Sequence, residues 1–158
     1  TMRSQLGTRL ADQIAINPTT STLPAASQTQ TWKVGDLYDV NGKQGVVYVV
    51  TPDGKHGKMI SINQAPSSRS WSDAISWCSS LGSGWRLPTK DELLVICENR
   101  AVLNAILAAV GEVIPDYYAY WSSTESGSNS AWYVRMGGGN TYSYPKSEYN
   151  SVRAVSAF

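Results

Sequence analysis

The chain has 158 residues, 42% hydrophobic and only 16% charged, against roughly 25% charged in an average soluble protein. That length suits one domain or a small domain with an arm, and excludes two large domains. Thirteen Lys and Arg oppose twelve Asp and Glu for a net charge of +1, so there is no electrostatic footprint for nucleic acid or an anionic membrane. The apolar runs at Val46–Val50 and Ile106–Val110 fall far short of the roughly 20 residues that span a bilayer.

In chain order, residues 1–31 are rich in Thr, Ser, Gln and Ala with Pro18 and Pro24, a composition that buries little apolar surface and reads as an N-terminal arm. Leu6, Leu10 and Ile14 line one helical face, a means of docking or of homo-oligomer assembly. Thr1-Met2-Arg3-Ser4 shows no secretory pattern, so the chain is mature, trimmed or not exported by that route. From Trp32 the domain begins. Gln44–Val50, a Pro52-Asp53-Gly54 turn and Lys58–Ile62 spell a hairpin.

A helix follows Ser70, with Trp71, Ala74, Ile75, Cys78 and Leu81 on one face before Gly82, a stripe expected to enter the core. Thr89-Lys90-Asp91-Glu92 forms a capping box for a second helix. Asn99-Arg100 interrupts it, and Ala101–Val110 continues as helix to Gly111. The remainder alternates strands with turns: Tyr120–Ser123, Ala131–Met136, the Gly137-Gly138-Gly139 turn, Asn140–Tyr144 and Val152–Ala157. The fold class is therefore α+β, two or three helices packed on a twisted antiparallel sheet.

Chemistry is sparse. The one histidine, His56, lies in a Gly54–Gly57 turn, and reads as a solvated turn residue instead of a base. Asp91 and Glu92 sit in a helix's first turn, where carboxylates complement exposed N–H groups. One His and the separated Cys78 and Cys97 do not make a zinc site, and no stretch carries the pattern of a calcium loop. The two cysteines are either buried free thiols or one bridge between neighbouring helices. No cofactor, metal or enzymatic activity is expected.

The informative region is the last one. Ser, Tyr, Gly and Asn supply 23 of the 42 residues from 117 to 158, and seven of the nine tyrosines lie there. Antibody loops use the same four residues, because Tyr offers stiff amphipathic contact area and the others adapt their hydrogen bonds. Strand and turn propensities alone give part of the same bias. Alternation separates Trp132, Val134 and Met136 from Tyr133 and Arg135, so a paired strand carrying Tyr142 and Tyr144 builds a polar-aromatic patch.

Gly84-Trp85-Arg86-Leu87-Pro88-Thr89-Lys90-Asp91-Glu92-Leu93, Tyr120-Trp121-Ser122-Ser123-Thr124-Glu125, Ala131-Trp132-Tyr133-Val134 and Val152-Arg153-Ala154-Val155, with Gly35, Gly45-Val46-Val47 and Gly57, resemble bacterial domains of C-type lectin-like fold related to the Legionella collagen-like protein C-terminal domain. The resemblance covers about residues 32–158. It extends to the formylglycine-generating-enzyme fold, but that enzyme's pair of active-site cysteines near the C-terminus is missing here. The calcium-dependent sugar-binding motifs Glu-Pro-Asn, Gln-Pro-Asp and Trp-Asn-Asp are missing too. Activity and calcium-mediated glycan binding therefore do not transfer.

The Tyr/Ser/Asn-rich end is also similar to the variable proteins of diversity-generating retroelements, found in phages and gut bacteria, whose codons are rewritten by adenine-directed mutagenesis. That resemblance implies a framework of Trp121, Ser122, Ser123, Thr124, Ala131, Trp132, Val134, Val152 and Arg153. It implies ligand-binding sites at Tyr118, Tyr120, Ser126, Ser128, Asn129, Ser130, Tyr133, Arg135, Asn140, Tyr142, Tyr144, Ser147, Tyr149 and Asn150. The function expected is a receptor-recognition display module, binding a protein or other macromolecular ligand from a bacterial cell surface or virion. The alternative is an adhesive or structural tip module of a pilus or phage fibre. Trp85, Trp121 and Trp132 are expected to be largely buried, and Arg86 to hold a structural hydrogen-bond or ion-pair role instead of contacting ligand.

Overall fold

The computed structural model describes residues 30–158; the helical pattern at Leu6, Leu10 and Ile14 lies outside them. The described elements are β1 (Leu37–Val40), β2 (Lys43–Val50), β3 (Gly57–Ile60), α1 (Trp71–Ser80), α2 (Lys90–Glu98), α3 (Arg100–Leu107), β4 (Ala119–Gly127), β5 (Ser130–Arg135), β6 (Asn140–Pro145) and β7 (Val155–Ala157). A 3-10 turn, Ala108–Val110, extends α3 to Gly111, which takes a left-handed φ of 77°. The α+β class holds, with the antiparallel strands divided between two sheets, β1-β2-β3-β7 and β4-β5-β6.

The expected β2–β3 hairpin is present. A further hairpin precedes it, in which Asn41 and Gly42 connect β1 to β2 with φ of 53° and 81°. Two-residue connections of that kind need positive φ at both positions, which Asn and Gly tolerate, and their twist matches the flanking strands. β7 returns from far along the chain to pair with β3, and short bridges join Arg69 to Asn150, Arg86 to Val155 and Tyr120 to Ser151.

The core follows the two-residue period of the strands. Ile60, Tyr120, Val134 and Val155 enter one buried cluster with Val46, Leu93, Ile96, Leu103 and Leu107. Their neighbours Met59, Trp121 and Ala154 enter a second, with Ala74, Cys78, Trp85 and Leu87. Each strand thus packs a different face into each cluster.

Of the expected α1 stripe, Ala74 and Cys78 are buried, but Ile75 and Leu81 are exposed. The core-facing sector narrows to Ala74 and Cys78, and Trp71 and Trp77 pack at its flanks. The capping box of α2 is complete: Glu92 N donates to Thr89 Oγ1 at 3.1 Å and Thr89 N to Glu92 Oε1 at 2.9 Å. α2 and α3 meet at 74°, and among the described residues no single helix is long and apolar enough to cross a membrane. Cys78 and Cys97 are both free thiols, Cys78 buried as expected but Cys97 only half-buried.

Candidate ligand-binding surface

The register of β5 and β6 sets Tyr133 opposite Tyr142, Arg135 opposite Asn140 and Ala131 opposite Tyr144. Directly opposed residues share a sheet face, so five candidate residues, Tyr133, Arg135, Asn140, Tyr142 and Tyr144, lie together. On β4 the same face presents Trp121, opposite Tyr133. The rings form a chain: Trp121 to Tyr144 at 6.1 Å, Tyr144 to Tyr133 at 5.4 Å and edge-on, Tyr133 to Tyr142 at 5.3 Å. Burial grades along it. Trp121 is inaccessible, Tyr133 and Tyr144 are half-buried, and Arg135, Asn140 and Tyr142 are exposed. An aromatic stack rooted in the core has few rotors left to freeze when a partner meets its outer end.

The root is held by hydrogen bonds. Trp121 Nε1 donates to Arg69 O and Trp71 Nε1 to Ser122 O, both at 2.8 Å, while Ser122 Oγ donates to Trp132 O at 2.6 Å. Trp85 and Trp121 are buried as expected, but Trp132 is only half-buried. It points to the reverse face of the sheet, where the Lys90 ammonium caps its ring at 4.7 Å, a contact that leaves an indole edge in water.

Not all the candidates join this face. Tyr120 is 1% exposed in the first core cluster; its hydroxyl donates to Gln64 Oε1 at 2.5 Å, and burial pushes its pKa up to about 12. It is a core residue, a correction to its expected place among the ligand contacts. Alternation explains this, since Tyr120 pairs with Val134 on the inward face. Tyr118, whose carbonyl accepts from Met136 N at 3.0 Å, continues that inward face and packs against the same cluster. Tyr118, implied as a ligand site, therefore lies on the inward side of the sheet, partly buried. Its neighbour Tyr117, 76% exposed and edge-on to Tyr118 at 5.0 Å, was not expected. It lies outside the set of positions that the resemblance implies.

Ser126 and Ser130 meet on the reverse face, where Ser126 Oγ contacts Ser130 Oγ at 3.0 Å and Ser143 Oγ at 2.6 Å. Ser143 is a third member that the sequence reading missed, although it alternates with Tyr142 and Tyr144. Ser128 and Asn129 make the exposed two-residue turn between β4 and β5. Lys146 clamps that turn to the following loop: its Nζ donates to Glu125 Oε2 at 2.7 Å and Ser128 O at 3.0 Å, and lies 4.3 Å from the Trp71 ring. On that loop Ser147 and Tyr149 are exposed. Asn150, half-buried, is tied to Arg69 by two backbone hydrogen bonds, and its Nδ2 is buried.

Away from this sheet, Glu92 gathers the domain's main ion pairs. Arg86 binds it through two hydrogen bonds of 2.6 and 2.8 Å, Lys58 Nζ lies at 2.9 Å, and Tyr48 OH donates at 3.2 Å. Burial favours the neutral acid, but hydrogen bonds from Arg86, Thr89 N and Lys58 outweigh it and hold the carboxyl well below its usual range. Arg86 thus has the structural role expected. Arg153, 3% exposed, spans Ser61 O and Ile62 O at 2.7 Å and Val113 O at 3.3 Å. His56 is exposed in the β2–β3 turn. Among the described residues no three His, Cys, Asp or Glu side chains cluster as metal ligands do.

The family described as the Lcl C-terminal domain matches residues 31–156. No curated protein matches the chain. Solved structures similar to it include botrocetin, at 10% identity over 76% of this chain and 94% of that one, TM-score 0.45. The snake venom toxin convulxin follows at 10% identity over 78% and 94%, TM-score 0.38. Yersinia pseudotuberculosis adhesin InvE is similar at 18% identity over 77% of this chain and 34% of that one, TM-score 0.40.

Proposed function

The chain belongs to the Lcl C-terminal domain family, and on that premise we propose that it is a non-enzymatic ligand-binding module that displays a diversified surface on an invariant scaffold. The observation that carries the reading is the β5–β6 register, which gathers Tyr133, Arg135, Asn140, Tyr142 and Tyr144 on one face. Beneath them Trp121 is locked into the core and bonded to Arg69. Side chains at the outer end of that face are exchangeable at little cost to the fold, because their neighbours below carry the packing. Ser128, Asn129, Ser147 and Tyr149 flank the surface on the two loops joined by Lys146.

The partner is a macromolecule on a cell surface, and the module acts outside the cell, on a bacterium or a virion, with residues 1–31 as its arm. The composition of residues 117–158 supports contact through tyrosine and adaptable polar groups, with no metal between. Binding of the chain to whole cells of candidate hosts tests this. Tyr133→Ala and Tyr142→Ala are each expected to weaken binding by roughly 2 kcal/mol or more, with neighbouring Ser→Ala changes costing little and EDTA having no effect. Binding lost in EDTA, or retained when Tyr133, Tyr142, Tyr144 and Tyr149 are all alanine, overturns the proposal.

A further inference from the structure

A cleft of about 400 Å³ opens well apart in sequence from the tyrosine-rich segment, between the β1–β2 turn, the chain after β3 and the end of α1. Its volume is in the range of sites that hold small ligands or the end of a peptide. Asn41 and Gln44 line one wall and Asn63 another, all three exposed, while Leu81 and the edge of Trp85 supply apolar surface. Lys43 reaches in from the start of β2. Its Nζ lies 5.7 Å from the Trp85 ring and donates to Ser83 O at 3.4 Å and Ala157 O at 3.5 Å.

Those carbonyls orient the ammonium without neutralising it, and no Asp or Glu is among the described residues lining the cleft. Asp39, on the neighbouring strand, is engaged by Gln44 Nε2 at 2.9 Å, which leaves the Gln44 carbonyl oxygen as an acceptor. Gly84 makes room for the lysine: it holds a φ of 84°, and a side chain there would approach Lys43 Nζ to 3.1 Å. Arg153 fixes the opposite wall through the carbonyls of Ser61 and Ile62.

We infer that this cleft is a second binding site, one that takes the free C-terminal end of a polypeptide. The Lys43 ammonium pairs with the terminal carboxylate. The side-chain amides of Asn41, Gln44 and Asn63 carry the same donor and acceptor pair as a peptide unit and match the backbone of the last residues. Leu81 and Trp85 receive an apolar terminal side chain. The inference is independent of the tyrosine face and stands or falls apart from it.

The test is titration of the whole chain with the tripeptide glycyl-glycyl-leucine and, separately, with its C-terminal amide, followed by NMR of backbone amides and the Trp85 indole N–H. The free acid is expected to give saturable shifts at Asn41–Gln44 and Ser83–Trp85, and the amide to bind at least tenfold more weakly. Lys43→Gln is expected to weaken the acid at least tenfold. Asn63→Ala, at an exposed position that leaves the Lys43 contacts in place, weakens it severalfold, and Lys55→Gln, which removes the same charge from a distant turn, leaves it unchanged. Equal binding of acid and amide, undiminished binding by a folded Lys43→Gln or Asn63→Ala variant, or no saturable shift at millimolar peptide overturns the inference.

Discussion

Around Glu92 the domain draws Arg86, Lys58, Tyr48 and the Thr89 N–H onto one carboxylate, whereas the β4–β6 sheet spreads Tyr133, Tyr142, Arg135 and Asn140 over a face with no such fixed partners among the described residues. In the first region both carboxylate oxygens of Glu92 accept from other groups, so loss of the carboxylate leaves several donors without it. In the second Arg135, Asn140 and Tyr142 are exposed and the tyrosine rings pack on one another. The difference shows where a fold can place variable residues: on a strand whose alternate residues, here Val134 and Tyr120, hold it to the core.

Four substitutions sharpen or break that comparison. Trp121→Ala removes a wholly buried ring and its hydrogen bond to Arg69 O, and is expected to cost about 3–5 kcal/mol in urea unfolding; a loss below about 1 kcal/mol would deny the sheet its root. Glu92→Gln is expected to cost about 2 kcal/mol, below the range for a fully buried pair, because the Lys58 and Arg86 side chains are 42% and 46% exposed. The sign of its pH dependence follows from the lowered carboxyl pKa. Ionised Glu92 contributes its full stability above the unfolded value near about pH 4.3, and that contribution is lost as pH falls towards the lowered folded value. Glu92→Gln should flatten this acid limb, and an unchanged limb would remove Glu92 as its source.

A smaller effect is expected at Tyr120→Phe, where loss of the hydrogen bond to Gln64 should cost about 1 kcal/mol with no change in ligand binding. The smallest belongs to Tyr142→Ala, which should move stability by no more than about 0.5 kcal/mol while weakening ligand binding. If Tyr142 and Tyr120 behaved alike in both assays, the division between scaffold and surface would fail.

Much of this was legible in the residues. The Thr89–Glu92 spacing marks a capping box that is present atom for atom, and two-residue alternation predicts which of the β5 and β6 side chains share a face. The resemblance places Tyr120 and Tyr118 among the ligand sites by position alone, and neither position nor alternation reveals how deep a residue lies. Depth is set by Val134, Met136 and the α2 side chains beneath, which sequence spacing does not locate. Asn41-Gly42 is a strong hairpin signal, but the β1 strand before it, Leu37–Val40, has only four residues, too few for alternation to mark it. The capping-box spacing puts Glu92 at a helix start, but Lys58 stands 34 residues away in sequence and only the assembled fold brings it there.

The central claim, an invariant scaffold carrying a diversified tyrosine face, is tested most directly by deep sequencing of the coding region across a natural population, together with the DNA that flanks it. The account predicts substitutions concentrated at Tyr133, Arg135, Asn140, Tyr142 and Tyr144 and their flanking loops, constancy at Tyr120, Trp121, Val134 and Arg153, and a nearby near-copy of the 3′ segment beside a reverse-transcriptase gene. Substitutions spread evenly over buried and exposed positions, or a tyrosine face as constant as the core with no such near-copy, would contradict it.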